Sequence, residues 1–114
     1  MKRFCTLLFT LISISSISQN YISPFDFPLL LSGTFGELRS NHFHTGIDIK
    51  TESVEGKKIR SIADGYISRI KVSTWGYGKV IYIVHPETGH TSVYAHMQSF
   101  NNEIKKEKIN GNTP

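Results

Sequence analysis

The sequence predicts a mainly β fold, an antiparallel sheet with a short helix near the C-terminus. Between residues 64 and 97 the chain consists of short runs of strand-forming residues, at 66–72, 79–85 and 92–97. Turn-forming segments at 73–78 and 86–89 separate these runs. Short strands with turns at such intervals favour an antiparallel meander over alternating βαβ units. The polar stretch that follows, 98–108, predicts the helix.

The amino-terminal segment predicts export. Met1-Lys2-Arg3 gives it a positive start, residues 4–17 are mostly apolar, and Ser16-Ile17-Ser18 has the small-x-small pattern of a cleavage site. The apolar run is shorter than the ~20 residues that a membrane span needs. We therefore expect a signal peptide over 1–18, no stable membrane span, and a mature chain in the periplasm, the cell envelope or the medium. Removal of this segment takes away Cys5, the single cysteine.

The mature chain, 19–114, has 96 residues (114 − 18), which is enough for one modest domain. Its net charge falls from +4 to +2 when Lys2 and Arg3 are removed. The basic residues are scattered and form no patch with aromatic residues, so nucleic acid is not expected as a partner. Residues 19–32 contain Pro24 and Pro28 and predict an extended lead-in over the sheet, which leaves 33–114 as the β domain.

A metal site is suggested by His44 and Asp48, which stand four residues apart around Gly46. Zinc binds imidazole nitrogen and carboxylate oxygen at ~2.0–2.2 Å, and catalytic zinc uses three protein ligands plus an open position. On a regular strand the two residues would lie ~13 Å apart, too far for one ion. A helix or a bend would bring them together. The β-branched and aromatic neighbours favour a strand that is broken by a bulge or turn at Gly46.

A second strand-like run offers a candidate for acid or base chemistry. Period-two alternation along 92–97 places Ser92, Tyr94 and His96 on one face and Val93 and Met97 on the other. His96 therefore faces a groove if Val93 and Met97 face the core.

The sequence gives less indication of a functional role for three further histidines: His42, His85 and His90. His42 and His44 are two residues apart and would share a strand face, so His42 is an alternative ligand. We expect it instead to face solvent near the site. His85 and His90 flank the 86–89 segment, which predicts a hairpin loop, and we expect both to be exposed beside that turn.

Five motifs follow one another along the chain: Gly33-Thr34-Phe35-Gly36-Glu37-Leu38-Arg39, His42-Phe43-His44-Thr45-Gly46-Ile47-Asp48-Ile49, Ala63-Asp64-Gly65, Gly76-Tyr77-Gly78 and Val93-Tyr94-Ala95-His96. In order and spacing they resemble the lysostaphin/LytM-type zinc metallopeptidases, which cut the peptides of peptidoglycan. The resemblance implies that His44 and Asp48 match the first two zinc ligands. It also implies that His96 matches the first catalytic histidine and that a peptidoglycan peptide is the substrate.

The family's remaining motif is a His-x-His pair preceded by Gly and Pro, which holds the second catalytic histidine and the third zinc ligand. Nothing after His96 matches it. We therefore expect a truncated chain, and the reading frame beyond Pro114 is the place to search for this motif. A degenerate, non-catalytic member that binds cell wall or activates a partner amidase is the rival hypothesis. A structural or carbohydrate-binding β module without zinc is a third.

The mechanism that these residues suggest is zinc-assisted hydrolysis of an amide bond. Zinc would lower the pKa of its water toward ~7 and polarise the scissile carbonyl. His96 would act beside that water as a general base or a hydrogen-bond donor. We expect Tyr94 to be a packing residue. Trp75 and Tyr77, on a glycine-rich loop, are candidates for a wall of the substrate groove or for lids over the core.

Overall fold

The computed structural model describes residues 20–109, so the predicted signal peptide lies outside the described residues. The described chain contains β1 (Leu31–Gly33), β2 (Asp48–Ile49), β3 (Tyr66–Val72), β4 (Lys79–His85), β5 (His90–Tyr94) and α1 (Asn102–Ile109). The strands form two antiparallel sheets. The predicted mainly β class, with a short helix near the C-terminus, is therefore confirmed.

The larger sheet is the predicted meander, with β4 between β3 and β5. The bounds of β3 and β4 match the two predicted runs: β3 alternates in part between apolar and polar residues, β4 has a contiguous apolar run, and turn formers flank both. Gly89 adopts a φ of +71° in the turn that joins β4 to β5, a conformation that favours glycine. Val80 and Ile81 on the central strand are 1% and 5% exposed and belong to the core.

The candidate metal-binding residues His44 and Asp48 lie at the end of a hairpin and on a smaller sheet. β1 pairs antiparallel with β2, with an irregular register between Leu31 and Gly33. Between them the 34–44 hairpin is closed by a Leu38–Phe43 bridge and by the backbone hydrogen bond from His44 N to Glu37 O, 2.8 Å. A bend at residue 46 then separates the hairpin from β2, so the predicted interruption at this position is confirmed.

The lead-in packs against the segment that precedes β3. Ile22 N donates a backbone hydrogen bond of 2.8 Å to Ile62 O. The Arg60 side chain donates to the carbonyls of Ser23 and Phe25, each at 2.9 Å. Phe25 is 7% exposed and closes one side of the core. Within residues 20–109, no helix has the length and apolar character needed to cross a membrane.

The prediction that His85 is exposed was wrong. Its side chain is 1% exposed, and its ring nitrogens lie 2.8 Å from Asp64 O and 2.8 Å from Ser92 Oγ. A Cβ at Gly65 would come within 2.9 Å of the His85 ring, so glycine leaves the space that this ring occupies. His90 is exposed, as predicted. The turn thus points His85 into the protein, where Asp64 O and Ser92 Oγ are its hydrogen-bond partners.

The predicted alternation at the last strand was also wrong in part. β5 ends at Tyr94, and His96 has a left-handed φ of +56°, so the period-two pattern does not reach it. Val93 is 46% exposed and does not face the core. A backbone hydrogen bond from His96 N to Tyr77 O, 2.9 Å, holds the chain in its new direction.

Candidate metal centre

His44 and Asp48 come together across the bend at Gly46. His44 Nε2 lies 3.2 Å from Asp48 Oδ1, whereas a straight strand would separate the two residues by ~13 Å. The hairpin fixes the backbone on one side of the bend, and pairing of β2 with β1 fixes it on the other. The two side chains are 19% and 42% exposed, so solvent reaches the pair.

The hydrogen bond at the far side of the His44 ring determines what Nε2 presents. Nδ1 lies 3.0 Å from the carbonyl oxygen of Thr34, which only accepts, and 3.3 Å from Arg39 Nη2, which only donates. The shorter contact, with Thr34 O, corresponds to the tautomer that carries the hydrogen on Nδ1. In that tautomer of the neutral ring, Nε2 points a lone pair at a carboxylate oxygen, which is also an acceptor. Two acceptors 3.2 Å apart repel each other unless a proton or a cation lies between them.

The pair fits the chemistry of zinc. Two ligand atoms at ~2.0–2.2 Å from a tetrahedral ion lie ~3.3–3.6 Å from each other, close to the observed 3.2 Å between His44 Nε2 and Asp48 Oδ1. A ligating histidine commonly donates its other N–H to a backbone carbonyl, and Thr34 O accepts that bond here. A protonated His44 in an ion pair with Asp48 would occupy the same space.

Arg39 and Gly33 complete the surroundings of Asp48. Arg39 Nη2 donates to Asp48 Oδ2 at 2.7 Å, and it also lies 3.3 Å from His44 Nδ1 and 3.5 Å from Glu37 Oε2. A Cβ at Gly33 would overlap Asp48 Oδ2 and come within 2.6 Å of Arg39 Nη2. The sequence reasoning assigned no role to either residue, although both lie in the first of the five motifs.

His96 lies outside the His44–Asp48 pair. Within residues 20–109, no group of three or more His, Cys, Asp and Glu side chains is placed to hold one metal ion. The connection to His96 runs through Tyr77, whose ring meets the His96 ring edge-on with centroids 6.5 Å apart. Tyr77 OH lies 3.5 Å from Thr45 Oγ1, next to His44. Tyr77 therefore spans the space between the proposed ligands and His96.

A cleft of about 780 Å³ adjoins His96. Its floor is the apolar face of the larger sheet, and its walls are the 51–61 loop and the segment that leads to α1. Gln98 Nε2 donates to Glu55 Oε2 at 2.8 Å and ties these two walls together. His96 thus borders a groove, although the condition set by strand alternation, that Val93 faces the core, does not hold.

The remaining candidates lie at the surface. His42 is exposed and hydrogen-bonds to its neighbour Asn41, in agreement with the expectation that it faces solvent. Trp75 is 87% exposed and Tyr77 is 49% exposed, so the loop between β3 and β4 presents two aromatic side chains to solvent. Of these two, Tyr77 contacts the His96 ring and Thr45, the neighbour of His44.

Comparison with known families gives one finding. The model of peptidase family M23 matches residues 42–112, which is 71 of the 114 residues (112 − 42 + 1) and includes His44, Asp48 and His96. No curated protein and no solved structure matches the chain.

Proposed function

The chain belongs to peptidase family M23, and we propose that it is a zinc metalloendopeptidase domain that hydrolyses the peptide cross-links of bacterial peptidoglycan. Peptidases of this family generally depend on zinc and act on peptidoglycan. The observation that carries the proposal is the approach of His44 Nε2 to Asp48 Oδ1, 3.2 Å, with the Thr34 carbonyl 3.0 Å from the other nitrogen of the ring.

His44 and Asp48 are the proposed zinc ligands. A bound zinc ion supplies a Lewis acid and an activated water to an amide hydrolysis. The Thr34 carbonyl, 3.0 Å from Nδ1, favours the tautomer whose Nε2 can bind metal. Asp48 contributes the oxygen that Arg39 leaves free, and its negative charge offsets part of the charge of the ion. The exposure of the pair allows a peptide carbonyl to approach.

His96 is the proposed general base. It lines the cleft, to which neither His44 nor Asp48 contributes, and its proposed role is to take a proton from the attacking water and return it to the leaving amine. The backbone bond to Tyr77 O and the edge-on contact with the Tyr77 ring hold its imidazole in place. Tyr77 and Trp75 are placed to form a wall against which an extended peptide would lie.

The proposed organisation follows the expected division of the chain. We propose that residues 1–18 direct export, that 19–32 form the lead-in, and that 33–114 belong to the peptidase domain. Export would bring the domain to the cell envelope, where its proposed substrate is found.

The test of this function is hydrolysis of purified peptidoglycan. The chain would be compared with a chimera that carries, after residue 114, a strand segment with the Gly-Pro-His-x-His motif of the family. We expect the chimera to release new amino groups in a zinc-dependent manner, and we expect His44→Ala and Asp48→Ala to abolish this release. Release that survives His44→Ala, or an inactive chimera that is folded and zinc-loaded, would overturn the proposal.

A non-catalytic role in cell-wall binding or amidase activation is the second candidate. The observation that favours it is that, in the described part of the chain, His44 and Asp48 are not joined by a further clustered donor, whereas a catalytic zinc site uses three. Under this alternative the chain sediments with insoluble peptidoglycan or stimulates an amidase, and His44→Ala leaves either property unchanged. A loss of both properties in His44→Ala would argue against it.

A further inference from the structure

We propose that Arg39 is a positioning residue that fixes Asp48 as a one-oxygen ligand. This inference rests on the proposed function, because it concerns the same metal ion. Arg39 Nη2 donates to Asp48 Oδ2 at 2.7 Å, while Asp48 Oδ1 faces His44 Nε2 at 3.2 Å. The two oxygens of the carboxylate thus have different partners.

The division of the carboxylate has a consequence for metal binding. The terminal torsion of an aspartate side chain is soft and roughly two-fold, so an unrestrained Asp48 could turn either oxygen, or both, toward an ion. A charge-assisted hydrogen bond from a guanidinium is short and directional. Arg39 therefore selects the orientation in which one defined oxygen is available beside His44.

The surroundings of Arg39 are arranged around this contact. Gly33 leaves open the space that Asp48 Oδ2 and Arg39 Nη2 share, because a Cβ there would overlap the first and lie 2.6 Å from the second. Arg39 Nε is buried and has no hydrogen-bond partner, which is unfavourable for a donor. The contacts of Nη2 thus hold the guanidinium in place, although its Nε–H group has no hydrogen-bond partner.

Two effects of Arg39 on zinc oppose each other. Its positive charge repels a cation bound nearby, whereas its hydrogen bond orients the ligand. The Arg39 side chain is 36% exposed, and solvent screens the repulsion between charges at such a site. Loss of a hydrogen-bond partner of a ligand typically lowers metal affinity by about 10–100-fold. We therefore expect the orienting hydrogen bond of Arg39 to raise zinc affinity by more than its charge repulsion lowers it.

The experiment is a zinc titration of the purified chain, in competition with a fluorescent chelator, for wild type, Arg39→Ala and Arg69→Ala. Arg69 is the matched control, because it lies on β3 with its guanidinium over the Tyr82 ring. We expect Arg39→Ala to bind zinc about 10-fold or more weakly than wild type, and Arg69→Ala to match wild type. Urea unfolding of the metal-free proteins provides the measure of folding.

Three results would overturn the inference: wild-type affinity in Arg39→Ala, tighter binding in that variant, or an equal loss in Arg69→Ala. If Arg39→Ala does not fold, Arg39→Lys decides in the same way, with several-fold weaker binding as support and wild-type affinity as contradiction. A wild-type chain that binds no zinc would instead overturn the proposed function, and this inference with it. Zinc binding by wild type with no effect at Arg39 would overturn this inference alone.

Discussion

The Tyr77 ring meets the His96 ring edge-on, with centroids 6.5 Å apart. Tyr77 OH also lies 3.5 Å from Thr45 Oγ1, beside the proposed ligand His44. One loop side chain between β3 and β4 thus connects two segments that are about 50 residues apart in the sequence. His96 is thus linked through Tyr77 to the segment next to the proposed ligands without being grouped with them, and the proposed roles can be separated by mutation.

The first prediction separates His96 from the ligands. In the peptidoglycan-hydrolysing chimera, His96→Ala should keep its zinc and lose about 10²-fold or more in kcat, since a general base contributes about 10²–10⁴-fold. Metal content and steady-state kinetics measure the two effects. His90→Ala is the control, because His90 is exposed at a distant turn. A His96→Ala protein that loses its zinc would show that His96 is a ligand.

The second prediction concerns Gly33. A methyl group at this position has no room beside Asp48 and Arg39, so Gly33→Ala should displace the carboxylate and weaken zinc binding. Gly89→Ala is the control: its φ of +71° makes alanine unfavourable by about 1–2 kcal/mol, but it lies in the turn after β4. We expect both variants to lose stability and only Gly33→Ala to lose zinc affinity. Equal zinc affinities would contradict this.

The third prediction concerns His85. Its ring is 1% exposed and hydrogen-bonded at both nitrogens, so His85→Ala would empty a buried space and remove the partner of the Asp64 carbonyl. Ser92 Oγ would keep its hydrogen bond with Tyr94 OH. We expect a loss of about 2–3 kcal/mol in the free energy of unfolding. Zinc binding should be retained at urea concentrations below the unfolding transition. His90→Ala should stay within about 0.5 kcal/mol of wild type. Urea denaturation decides, and wild-type stability in His85→Ala would refute the structural role.

Local sequence signals predicted the larger sheet well. The bounds of β3 follow from partial alternation and those of β4 from a contiguous apolar run, each between turn formers, and these signals lie within the segments themselves. The bend at Gly46 could be predicted for a different reason. A His and an Asp four residues apart can share one ion only if the strand between them is broken.

The features that sequence did not predict depend on distant partners. His85 is buried because Asp64 O, 21 residues earlier, and Ser92, seven residues later, satisfy its ring. His96 has a left-handed φ of +56°, and its amide bonds to Tyr77 O, 19 residues earlier. Arg39 reaches a carboxylate nine residues away that comes near only when β1 and β2 pair. The spacing of residues in the sequence does not reveal any of these contacts.

The most direct test of the central claim is a zinc titration of the purified chain with His44→Ala, Asp48→Ala and, as the matched control, His42→Ala. Two protein ligands give little chelate advantage, so we expect weak binding to wild type and to His42→Ala. We expect no measurable binding to His44→Ala or Asp48→Ala, because each leaves a single donor. Stoichiometric zinc that survives dialysis in His44→Ala, or a folded wild-type chain that binds no zinc, would contradict the assignment of these two residues.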